Sequence, residues 1–133
     1  MGLLVVIVLA LAVLNAPGVS AGEDLVVELS AHPPENPILP EAEGIAVFEE
    51  TRKGTKLELE ADGLTLSGDY FVCLGSMEDM TDHVYFSLAV DKEGEGELEV
   101  RLAQPLSSFS GQHVCVGLHT DDGHVMVLMG AIP

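Results

Sequence analysis

The 133-residue chain sets five basic residues against twenty-two acidic ones, for a formal charge of −17. That balance repels nucleic-acid phosphates and anionic lipid head groups, so nucleic-acid binding is excluded as a function class. Tryptophan is absent and aromatics make up 5% of the chain, so any core must be built from Val, Leu, Ile, Ala and Met.

An unbroken apolar run fills residues 3–14, broken by Asn15, Pro17 and Gly18. Val19-Ser20-Ala21 then places small residues where a signal peptidase reads them, so residues 1–21 read as a signal-peptide helix cleaved after Ala21. The alternative is a retained anchor, but a dozen apolar residues span only about 18 Å as a helix, against roughly 30 Å of hydrocarbon. The expected product is secreted, extracellular or periplasmic, with no stable membrane anchor after cleavage. Residues 22–133, about 110 residues, suit a single domain. Within it, residues 22–43 form a first strand and proline-rich connector, and residues 44–133 the core of the fold.

From there the hydrophobic period is two almost throughout. Residues 24–30 read as a first strand, and Pro33, Pro34, Pro37 and Pro40 make residues 31–43 an extended, irregular connector. Residues 45–50 are a second strand. In residues 56–61, Leu57, Leu59 and Ala61 face one way and Glu58 and Glu60 the other, the mark of a sheet with one wet face. After the Asp62-Gly63 turn, residues 69–75 are apolar on both faces. Further strands are expected over residues 84–91, 97–102, 113–119 and 124–130. About eight short strands with turn signals between them predict an all-β fold, an antiparallel β-sandwich (immunoglobulin-like) or barrel.

The chain has two cysteines, Cys73 and Cys115, and in an exported protein an even count points to one disulfide. Free thiols, or a metal or redox role, are the alternatives. The segments Leu29-Ser30-Ala31, Glu35-Asn36-Pro37 and Gly44-Ile45-Ala46-Val47-Phe48, with Gly54-Thr55 and Leu57, resemble the opening of the CHRD (chordin-type) domain. Val114-Cys115-Val116, Leu118-His119-Thr120, Asp122-Gly123 and Gly130 resemble its ending. The family's mid-domain histidine pair is replaced by Tyr70-Phe71-Val72-Cys73-Leu74, and its final Arg-Gly by Met129-Gly130. The resemblance implies an exported β-sandwich with no established catalytic activity, and it lends no catalytic residues.

Candidate chemistry is sparse. His113, Cys115, His119, His124 and Met126 contain the donor types of a blue-copper site, but Cys115 has a ready disulfide partner. His119 and His124 flank a four-residue turn and face each other if that turn makes a hairpin, with Asp121 or Asp122 as an oxygen donor for a divalent transition metal. The plain alternative is a pair of turn-flanking surface histidines. Glu93, Glu95, Glu97 and Glu99, with Asp79 and Asp82, invite a calcium reading, yet alternating glutamates line a strand face instead of converging on a point. No Gly-x-Ser-x-Gly, phosphate loop or basic patch is present.

The expected function is therefore a non-enzymatic, secreted or surface-displayed module that needs no cofactor and acts by binding or assembly. Contact is expected through Val125, Val127 and Met129 if exposed, and through Val26 and Val27 on a first strand that could pair with a neighbour's sheet edge. The alternative is a small exported metal-binding protein using His119 and His124.

Overall fold

The computed structural model describes residues 24–76 and 83–133. The expected leader, and Asp79 and Asp82, lie outside the described residues. All eight strands are found: β1 (Asp24–Ala31), β2 (Glu43–Thr51), β3 (Gly54–Asp62), β4 (Tyr70–Gly75), β5 (Val84–Val90), β6 (Gly96–Leu102), β7 (His113–Thr120) and β8 (Gly123–Ala131). A short 3₁₀ turn, Leu106–Phe109, joins β6 to β7.

Every pairing is antiparallel, and the strands run around a closed barrel in the order β1-β2-β3-β6-β5-β4-β7-β8. The alternation suggested an immunoglobulin-like sandwich or a barrel, and the strands close into the barrel. The cause lies in two strands that change partners along their length. β1 pairs with β2 over Asp24 to Leu29 and then reaches β8 through Ser30 and Ala31. β5 pairs with β4 over Val84 to Leu88 and then reaches β6 through Ala89 and Val90. Each acts as a corner, so the two sheets of a sandwich are joined at both edges. Hydrophobic period alone reports which face is wet, and is blind to such corners.

The interior follows from the alternation. Phe48, Leu57, Leu59, Val72, Val114, Val116 and Leu128 are fully buried, and a side chain of this size contributes roughly 1.5–3 kcal/mol on leaving water. The ends of the barrel are plugged by the connections. Phe109 of the 3₁₀ turn stacks on Phe48 with ring centroids 6.1 Å apart. Leu39 and Ala42, from the proline-rich connector, are also buried, so that segment supplies core as well as linkage. Thr55, a buried polar residue, donates from Oγ1 to the Gln104 carbonyl at 2.8 Å. At the β3 exit Gly63 has φ +77, and a Cβ there would lie 2.6 Å from the Glu41 carbonyl oxygen, so the turn requires glycine.

β8 departs from simple alternation. Val116 pairs with Leu128 but Gly117 pairs with Met126, so Val127 is an extra residue in a β-bulge. Both Val127 and Leu128 consequently enter the core, while Met126 and Met129 turn outward.

Candidate functional site

The barrel has two unlike walls. The strands β1, β2, β3 and β6 carry Asp24, Glu28, Glu43, Glu49, Glu50, Lys56, Glu58, Glu60, Asp62, Glu97, Glu99 and Arg101. The strands β4, β5, β7 and β8 carry no Asp, Glu, Lys or Arg at all. In a chain of charge −17, one wall is thus free of fixed charge, with Asp69 and the Asp121-Asp122 turn at its rim.

Register arranges this wall in rows. Tyr85, Cys73, Cys115 and Met129 form one row across β5, β4, β7 and β8. Ser87, Phe71, Gly117 and Met126 form the next. His119 and His124 pair directly across the hairpin beyond it. Phe71 is the centre of a ring cluster, with centroids 4.8 Å from His119, 5.6 Å from Tyr85 and 5.7 Å from His124. The reason Phe71 can lie flat is Gly117, because any Cβ on residue 117 would run into the Phe71 ring. Phe71 is 5% exposed although it points outward, whereas Tyr85 stands 49% exposed.

Cys73 and Cys115 form the disulfide, with Cα atoms 5.1 Å apart. It lies on the outer side of the barrel wall, between strands that already share hydrogen bonds, beneath Met126 and Met129. Met126 Sδ is 3.8 Å from Cys73 Sγ. An open cleft of about 640 Å³ adjoins one end of the wall, lined by residues 68–71 and 87–90 and by His119.

The residues expected to bind metal are brought together only in part. His119 and His124 face one another, but their rings meet edge to face at 6.2 Å and both rest on Phe71. Asp121 and Asp122 are exposed in the turn. Among the described residues no three His, Cys, Asp or Glu side chains are grouped to hold a metal ion. His113 sits at the far end of β7 opposite Ala131, away from His119. The glutamates split as well: Glu97 and Glu99 lie on β6, but Glu95 and Glu93 belong to the preceding loop, where both backbone N–H groups donate to Asp91 Oδ1.

The residues nominated for contact are placed as follows. Val27 and Val127 point into the core, the first by strand alternation and the second through the bulge. Val125 packs against the core, Met129 covers the disulfide, and Val26 pairs with Val47 on the charged wall. Within its own barrel β1 pairs with β2 over Asp24 to Leu29 and with β8 only through Ser30 and Ala31.

Sequence reasoning missed Phe71, Tyr85 and Ser87. The signal was present: four strands without a fixed charge in a strongly acidic chain. Only their adjacency was hidden, because β4–β7 pairing bridges 42 residues.

Opposite this wall, Glu58 pairs with Glu99 and Glu60 with Glu97, a block of four carboxylates. Lys56 offsets one corner, 3.6 Å from Glu58 and 3.8 Å from Glu49. Burial, then Glu97 and Glu58, raise the Glu60 carboxyl from 4.5 to about 7, and its buried Oε2 has no hydrogen-bond partner among the described residues. Among the described residues no helix is long and apolar enough to cross a membrane. No protein-family model matches this chain, and no curated protein matches it.

Proposed function

We propose that this protein is an exported, non-enzymatic β-barrel module that acts by binding, and that the wall formed by β4, β5, β7 and β8 is its contact face. The observation that carries the reading is the partition of charge. A solvated outer wall ordinarily alternates apolar-in with polar-out. Here the outward positions hold the phenol of Tyr85, the thioethers of Met126 and Met129 and the imidazoles of His119 and His124, around a buried Phe71. Such groups are those enriched at contact surfaces. Export is supported by the leader-like start of the sequence and by a disulfide, which persists in oxidising compartments. The CHRD-like segments, whose resemblance implies export, fall on β1, the proline-rich connector, β2, β3, β7 and β8.

Nile red, a neutral apolar dye, tests the contact face. Wild type is expected to bind it, Tyr85→Glu to bind it several-fold less, and Glu99→Gln on the opposite wall to match wild type. Equal binding by all three overturns the reading. Non-reducing mass spectrometry of the exported product tests cleavage after Ala21 together with the Cys73–Cys115 bond.

The cross-strand placement of His119 and His124 favours a second reading, a two-imidazole metal site. Calorimetric titration with Zn²⁺ and Cu²⁺ decides it, and unchanged binding by His119→Ala ends it.

A further inference from the structure

We infer that the occupant of the charge-free wall is a second copy of this chain, joined face to face. The inference rests on the binding reading above and names its partner. Electrostatics selects the partner. Two bodies of charge −17 repel, and a contact through β2, β3 or β6 would set carboxylate against carboxylate at close range. Between the described strands, β4, β5, β7 and β8 are the surface on which two copies meet without opposing fixed charges. A cationic partner would instead prefer the Glu58, Glu60, Glu97 and Glu99 block, and anionic surfaces are repelled by the whole molecule.

Shape agrees. Sheets stack face to face about 10 Å apart when their facing side chains are apolar. The two central rows are low in relief, with a buried disulfide, Gly117 and the flat Phe71 ring, and Tyr85 stands proud at one edge. Four strands about 4.8 Å apart and roughly seven residues long cover a footprint of about 450 Å². Two such footprints give roughly 900 Å² before surface roughness is counted, below the roughly 1,200 Å² of stable interfaces and within the range of transient ones, so the dimer is expected to be weak. Residual repulsion between the acidic walls is screened by salt, so association strengthens as salt rises, opposite to a contact made by attraction between charges.

Sedimentation velocity on the exported protein, from about 10 µM to about 1 mM at low and high NaCl, tests this at concentrations suited to a weak contact. The expected result is a dimer at the upper concentrations, favoured by salt. Ser87→Glu and Tyr85→Glu, both at exposed positions, are expected to weaken it at least tenfold, and Glu99→Gln to leave it intact or strengthen it. Circular dichroism verifies that each variant is folded, and two independent wall variants guard against misfolding of one. A monomer at every concentration and salt overturns the second copy, as does a dimer indifferent to both wall variants. Binding of the monomer to neutral phosphatidylcholine vesicles overturns it in favour of a lipid surface. A protein that stays monomeric yet binds Nile red through Tyr85 loses the dimer and keeps the contact face, so the two failures are distinguishable.

Discussion

Glu60 offers the sharpest test of the charged wall. Its carboxyl is half-buried beside Glu97 and Glu58 and is raised from 4.5 to about 7. A group whose folded value exceeds its unfolded value binds its proton more tightly when folded. Its stabilising contribution is therefore fully present below about 4.5 and is lost as pH rises through about 7. The shift corresponds to a ceiling of about 3 kcal/mol at 1.36 kcal/mol per unit. Solvent reaches much of the side chain, and screening reduces this to about 1 kcal/mol. Urea unfolding of wild type followed by circular dichroism at pH 8, 7, 6 and 5 is expected to show greater stability at the acidic end. Glu60→Gln, which is neutral at every pH, is expected to gain about 1 kcal/mol over wild type at pH 8, and to lose that advantage by pH 5. Glu97→Gln removes one repelling neighbour and is expected to shrink the effect without abolishing it. If Glu60→Gln and wild type differ by a constant amount across this range, the reasoning about the carboxylate block is wrong.

Two further perturbations probe the other wall. The disulfide closes a separation of 42 residues, worth about 4 kcal/mol by loss of freedom in the unfolded chain. The Cys73→Ala/Cys115→Ala pair is expected to melt roughly 15 °C lower with its sheet content retained, and a shift under a few degrees would show that the bond does not limit the unfolded chain. Gly117→Ala drives a methyl group into the Phe71 ring and is expected to cost about 1–3 kcal/mol. Adding Phe71→Leu should recover part of that loss in denaturant titrations; no recovery would place the strain elsewhere.

The strands were legible because a period of two survives wherever one face is wet. Leu57, Leu59 and Ala61 against Glu58 and Glu60 needed no structure to interpret, and all three apolar residues are buried. The limits of legibility are physical. Closure depends on β1 and β5 turning corners, which is a matter of backbone bending with no compositional mark. Contact through Val125, Val127 and Met129 depended on their exposure, which alternation leaves open. The bulge resolves it by sending two successive residues inward. The proline-rich connector reads as a tether because prolines hide the two residues, Leu39 and Ala42, that reach the core.

The histidine hairpin shows why a candidate site needs more than proximity. His119 and His124 were legible as a facing pair from the turn between them, and they do pair across β7 and β8. What the spacing could not show was Phe71, which arrives from β4 and engages both rings. His119 is tilted 40° to the Phe71 ring and His124 meets it edge to face, so a metal bound through the ring nitrogens has to be compatible with both contacts. The same β4 crossing that seats Phe71 also brings Cys73 to Cys115 and lays an uncharged strand beside two others. One long-range pairing therefore staples the barrel, sets both histidines against an aromatic ring, and assembles the wall of strands that carry no fixed charge.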